Sequence, residues 1–233
     1  MTELNHGNAF LDAVRPALAA GDAERVARDV RANWSVVEIC ALLNHPNVDI
    51  RRVAAMVIGL IGDRRQVGCL TGALKDTDRL VNEMAEHSLW SVWFRAGSKQ
   101  ATRAFRLGLA DLAEESYEKA IVHFGRAADI DSHFAEAFNQ CAIAHFFLGH
   151  WDASIYCASK AVKLIPTHFG AIAGMGHCYT QMNDLERALK CYRRAVAINP
   201  RMKPICDAIR SLETRMREEN DSSGTFFGRP VSV

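Results

Sequence analysis

Seven cysteines and nine histidines are the residues of this 233-residue chain best suited to chemistry, because thiolate and imidazole serve as nucleophiles, metal ligands and proton carriers. Cys40, Cys69, Cys141, Cys157, Cys178, Cys191 and Cys206 stand far apart, no two as Cys-x-x-Cys, and most fall within apolar helical patterns. They read as buried reduced thiols. His145 and His150 do not form a His-Glu-x-x-His array, and the adjacent His177 and Cys178 point to different faces of a helix, so neither spacing supports zinc. A cysteine nucleophile would need a histidine brought close by the fold, and helix-packing cysteines are the commoner case. The expectation is a chain with no catalytic residues, no metal and no cofactor.

Two further groups of residues invite a chemical reading. Gly59, Gly62, Gly68 and Gly72 are too dispersed to cradle a phosphate and suit helix ends and crossings. Arg51-Arg52 and Arg64-Arg65 could gather on one edge and meet a phosphate, but Asp49 and Asp63 stand beside them. With a formal charge of +1 spread evenly along the chain, a solvated surface is the better reading, and no nucleic-acid partner is expected.

The elements that would position these residues are helical. Apolar residues at 49% and charged residues at 24% suffice for a buried core, six prolines leave room for long helices, and Ala, Leu, Arg and Glu recur at helical spacing. The start shows no basic segment followed by an apolar run, and no apolar window is long enough to span a bilayer, so no membrane insertion and a cytoplasmic location are expected.

The second half has a 34-residue period: residues 101–134, 135–168 and 169–202 align without a gap. Ala127, Ala161 and Ala195 coincide, as do Ala120, Ser154 and Ala188, and small residues recur at Gly108, Ala142 and Gly176, where helices can approach closely. Large residues fill complementary places, with Phe124 and Tyr192 in the second helix; the middle copy has Ala158 there instead. Pro166 and Pro200 end helices, while Glu115, Gly149 and Asn183 share the turn position inside each pair. The pattern, completed by Tyr179, resembles the tetratricopeptide repeat. An amphipathic helix over 203–219, with Ile205, Ile209, Leu212 and Met216 on one face, caps the stack. Residues 220–233, including Phe226 and Phe227, read as a flexible tail.

The first half carries a weaker period of 31 over residues 36–94, pairing Leu43 with Leu74, Ile50 with Val81, Ala54 with Ala85 and Ile58 with Leu89. The stretch Leu43–Gly62 resembles HEAT repeats of the type also found in phycobilisome lyases. The second copy departs from it, with Asn82 where the first has Arg51. Residues 9–33 look like a degenerate helix pair broken at Ala20-Gly21-Asp22. The resemblances imply an all-α, right-handed helical-repeat solenoid: HEAT-like pairs over 1–97, three tetratricopeptide units over 98–202, then the cap and tail.

The tetratricopeptide resemblance implies that the first helix of each pair lines a concave groove that receives a peptide or helix. Thr102, Phe105, Leu109, Leu112 and Ala113 would contribute from the first repeat, Glu136, Asn139, Ile143, Phe146 and Phe147 from the second, and Gly170, Ala173, His177, Thr180 and Gln181 from the third. One subclass grips the acidic tail of heat-shock chaperones with a clamp of Lys, Asn and Arg. Here Phe105, Leu109, Gln140, Gly170 and Gly174 stand at its places and offer a carboxylate no cation, so an acidic chaperone tail is not expected. The groove suits an amphipathic helix or an extended hydrophobic peptide, making the protein a non-enzymatic adaptor or scaffold. The alternative is a HEAT-like lyase-type enzyme, or enzyme subunit, acting on a prosthetic group. Self-association stays open.

Overall fold

A computed structural model of the protein describes residues 2–224, which are helical with short turns throughout. The chain divides into two compact units, residues 1–102 and 103–233. The boundary falls a few residues beyond the one at 97 and 98 expected from sequence.

In the first unit, α1 (Thr2–Ala19) packs on α2 (Ala23–Asn33), followed by α3 (Val36–Leu42), α4 (Val48–Ile61), a 3-10 turn at Arg64–Gln66, α5 (Val67–Ala73) and α6 (Arg79–Arg95). Each start has a side-chain cap where the sequence supplies Asp, Ser or Asn: Asp22 accepts from the Arg25 backbone N–H, Ser35 and Glu38 form a reciprocal capping box, and Asn47 and Asp78 cap α4 and α6. The core is built from Ile39, Ile50, Ile58, Leu70, Leu74, Leu89 and Trp93. The expected helix pair at 9–33 is present, with α1 beginning at Thr2 rather than near residue 9.

The two HEAT-like pairs are tied by bidentate ion pairs. Arg51 Nε and Nη2 donate to Asp76 at 2.8 and 3.1 Å, and Arg52 Nε and Nη2 donate to Asp78 at 3.0 and 2.7 Å. These arginines are therefore neither a free basic edge nor merely solvated; they fix one repeat on the next. The departure at Asn82 has a matching explanation. Arg51 Nη1 donates to the His45 carbonyl in the preceding turn, and buried Asn82 donates from Nδ2 to the Leu74 carbonyl in its own. Cys40 on α3 and Cys69 on α5 are joined by a disulfide with their Cα atoms 6.0 Å apart, which corrects the expectation of reduced thiols at those two positions. Stacked repeats bring one cysteine from each pair together.

α7 (Lys99–Ala113) crosses the division, and the second unit continues with α8 (Tyr117–Ile130), α9 (Ala135–Phe147), α10 (Trp151–Leu164), α11 (Phe169–Gln181), α12 (Leu185–Ile198) and α13 (Lys203–Gly224). Glu115, Gly149 and Asn183 adopt φ of 57°, 74° and 59°, the left-handed conformation that closes each pair. α10 and α12 stop two residues before Pro166 and Pro200. At Gly108 and Gly176 an added Cβ would lie 2.7 Å from the Phe124 ring and 2.5 Å from the Tyr192 ring, so these crossings require glycine. The cap is longer than expected, running through Gly224 and taking in the start of the expected tail; the rest of that tail, with Phe226 and Phe227, lies outside the described residues.

Candidate functional site

The crossing of the middle repeat differs from its neighbours. Ala142 on α9 faces Ala158 on α10, where the flanking repeats set a glycine against an aromatic ring. A cavity of about 230 Å³ opens here, lined by α9, α10 and α11 through Asn139, Ala142, Ile143, Phe146, Phe147, Ser154, Ala158, Gly170, Ala171, Gly174 and His177. Its walls are chiefly apolar. Gly170 and Gly174 leave the α11 wall without large side chains, and the missing ring at Ala158 leaves the floor open.

A few polar groups border it. Ser154 Oγ donates to the Ala142 carbonyl at 2.7 Å, which holds α10 against α9. His177 reaches the surface with Nδ1 2.8 Å from Tyr192 Oη, and partial desolvation of its ring by the packed neighbours lowers its pKa from the ordinary histidine value. Asn139 is oriented from behind: its Nδ2 donates to Glu136 Oε1 at 3.0 Å, Gln140 Nε2 donates to the same oxygen at 2.7 Å, and His168 Nε2 lies 2.9 Å from Glu136 Oε2. His168 Nδ1 in turn accepts from the Ala171 backbone N–H at the start of α11. Glu136 and His168 are fully buried, so this network joins the second repeat to the third from inside.

Six of the fifteen groove residues named from sequence, Asn139, Ile143, Phe146, Phe147, Gly170 and His177, therefore meet at one cavity. Phe147 is exposed and stacks on Tyr117 at 5.0 Å, and Phe146 contacts Trp151 at 5.1 Å. Two expectations are corrected. Phe105 is core, its ring 5.5 Å from Phe124 and 4.7 Å from Phe134, and Glu136 is buried in the polar network. Leu109 and Leu112 are half-buried on α7, and Gln181 is exposed at the end of α11; none of the three lines the cavity.

A second cluster was missed in the sequence. Cys141 and His145 on α9 and Cys157 on α10 place one sulfur or nitrogen each within 4.8 Å of the others, and the two Sγ atoms are 3.6 Å apart. The contact with Cys157 and then burial push the Cys141 thiol up, leaving Cys157 the more acidic of the pair; burial and then His150 lower His145. The signal available was the i, i+4 spacing of Cys141 and His145, which puts both on one helical face.

Comparison with known proteins finds both kinds of repeat. HEAT repeats match residues 36–116, and the tetratricopeptide repeat matches residues 171–202. The chain carries HEAT-like and tetratricopeptide repeats. A TPR repeat-containing protein of Rhizobium etli is 26% identical over 126 residues, covering 53% of this chain and 61% of the relative. Protein bimA of Emericella nidulans is 26% identical over 87 residues, 37% of this chain and 11% of bimA, so the chain spans less than two-thirds of either. Among solved structures, the Sgt2 TPR domain of Aspergillus fumigatus superposes with a TM-score of 0.52 at 18% identity, covering 59% of this chain and 90% of that domain. The first TPR of Spaghetti (RPAP3), bound to the HSP90 peptide SRMEEVD, gives 0.50 at 20% identity over 52% of this chain and 97% of that one. That complex overturns the exclusion of acidic chaperone tails, because repeats of this fold carry one. No helix among the described residues is long and apolar enough to cross a membrane.

Proposed function

We propose that the protein is a non-enzymatic adaptor whose tetratricopeptide half takes an apolar side chain of a protein partner into the cavity between α9, α10 and α11. In this reading residues 98–202 are the binding module of three repeats, α13 is its cap and residues 1–97 are a HEAT-like scaffold. The observation that carries it is the cavity itself: about 230 Å³, walled by Ile143, Phe146, Phe147 and Ala158 and bordered by Asn139 and His177. That volume is below the range of drug-sized ligand pockets, roughly 300–1,000 Å³. It exceeds the roughly 150 Å³ in which an apolar cavity already accepts benzene, so one aromatic or branched anchor fits. The exposed Phe147 and the Asn139 amide extend the contact to the backbone beside that anchor. The lyase-type alternative calls for convergent polar groups in a pocket on the HEAT-like half, whereas this cavity lies between residues 139 and 177.

The test is selection from a displayed peptide library against the intact protein, followed by fluorescence anisotropy with the selected peptides and with SRMEEVD. Peptides with one large apolar anchor, bound by the wild type and weakened by about thirtyfold or more in Ile143→Glu, support the reading, since a central anchor is worth about 2 kcal/mol. Selection of peptides without a large apolar anchor, or equal binding by Ile143→Glu, overturns it.

A further inference from the structure

We propose that Cys141, His145 and Cys157 form a binding site for a soft d10 cation such as zinc, one that joins the two helices of the middle repeat. This inference stands apart from the cavity reading. Cys141 and His145 sit one turn apart on α9, and the left-handed turn at Gly149 reverses the chain so that Cys157 on α10 faces them. The three donor atoms already lie within 4.8 Å of one another with no ion to draw them together.

The sulfur separation fits chelation. Two thiolates each about 2.3 Å from a tetrahedral zinc stand roughly 3.8 Å apart, and the observed separation is 3.6 Å. An independent observation concerns His145, whose Nδ1 is buried and has no hydrogen-bond partner. A buried imidazole nitrogen normally finds a partner, and metal coordination fixes which ring nitrogen carries the proton. Cys157 and His145 are only half-buried, which leaves an entry path, while buried Cys141 closes the far side. Two thiols and an imidazole select thiophilic ions over calcium or magnesium. On binding, two S–H bonds break, two metal–sulfur bonds form and both protons pass to solvent, so the two thiolates balance the charge of a divalent ion. His150 is exposed, its ring 5.9 Å from that of His145, and is not one of the three converging donors, so the fourth position is left to water.

The probe is Cd2+, added to the reduced full-length chain while thiolate-to-metal charge transfer is followed in the near ultraviolet. The wild type should saturate at one equivalent. A Cys40→Ser/Cys69→Ser variant should do the same, which sets aside those two thiols once they are reduced. Cys157→Ser, checked for folding by circular dichroism, should lose the band. His145→Asn provides a second measurement that spares the thiols: competition for zinc with a chromogenic chelator should show affinity weaker by about tenfold or more, at least the loss that follows removal of a supporting residue around a metal. No band in the wild type, a band unchanged in Cys157→Ser, or a zinc affinity unchanged in His145→Asn would overturn the site.

Discussion

Replacing Ala158 by Phe together with Ala142 by Gly would give the middle repeat the same crossing as its neighbours, and this double change tests why the cavity exists. The flanking crossings set Gly108 against Phe124 and Gly176 against Tyr192, with room for no Cβ on the glycine side. Ala158→Phe alone therefore drives a ring against the Ala142 methyl, an overpacking that typically costs about 1–3 kcal/mol. With Ala142→Gly added, the ring enters the cavity. Burying a phenylalanine side chain contributes about 1.5–3 kcal/mol, against about 1 kcal/mol for a glycine inside a helix. The double variant should thus be about 1 kcal/mol more stable than wild type, while Ala158→Phe alone is less stable by about 1 kcal/mol or more and Ala142→Gly alone by about 1 kcal/mol, a coupling of about 3 kcal/mol or more between residues in contact. Urea denaturation followed by circular dichroism measures both. Peptides that use the cavity should lose about thirtyfold in affinity to the double variant even as its stability rises. A double variant no more stable than Ala158→Phe, or one that still binds at full strength, would refute the account of the cavity as a missing ring.

The buried network makes a sharper demand on stability. Glu136→Ala strips the acceptor from Asn139, Gln140 and His168 at once, and breaking a buried pair from one side costs about 3–5 kcal/mol, read as a fall in urea midpoint; a loss below about 1 kcal/mol would show that these groups do not depend on Glu136. Acid sensitivity follows from the ion pairs of the first unit. The Arg52 hydrogen bonds hold Asp78 well below the ordinary carboxylate pKa, and Asp76 is lowered too: burial alone would raise it, but its bonds from Arg51 outweigh that. A folded-state pKa below the unfolded value means the stability is fully present above roughly pH 4 and lost as pH falls through the folded values. The difference in thermal midpoint between wild type and Asp78→Asn should therefore be constant from pH 7 to about pH 5 and shrink below about pH 4; a difference that does not shrink would remove Asp78 from the explanation.

Period and punctuation were legible in the sequence because they are local. Pro166, Pro200, Asn183 and Gly149 act through their own backbone, and even Glu115, an unsuited residue, takes the left-handed turn because the repeat around it demands one. Burial was harder to read, since it depends on partners far along the chain. Phe105 looked like a groove residue by its place in the repeat, and it is core because Phe124 and Phe134 enclose it. Glu136 also looked like a groove residue, and it is buried because His168, 32 residues on, supplies its partner. Cys40 and Cys69 gave no pairing signal, coming one from each stacked helix pair.

What the repeats share and where they differ carry separate information. Shared positions describe how helix packs on helix, and the same crossing works three times with only the pairing of small and large residues adjusted. A departure such as Ala158 is a defect by that standard, because it leaves apolar surface uncovered and forgoes the contacts that Phe124 and Tyr192 make. Ala142 is matched to it, being the small residue that can carry a Cβ only because no ring opposes it. The middle repeat is therefore a consistent alternative packing, and the same α9–α10 pair that leaves the cavity open also brings Cys141, His145 and Cys157 together. A cation held there would brace the two helices that have lost a ring between them, so that metal affinity and cavity filling should substitute for one another in stabilising this repeat.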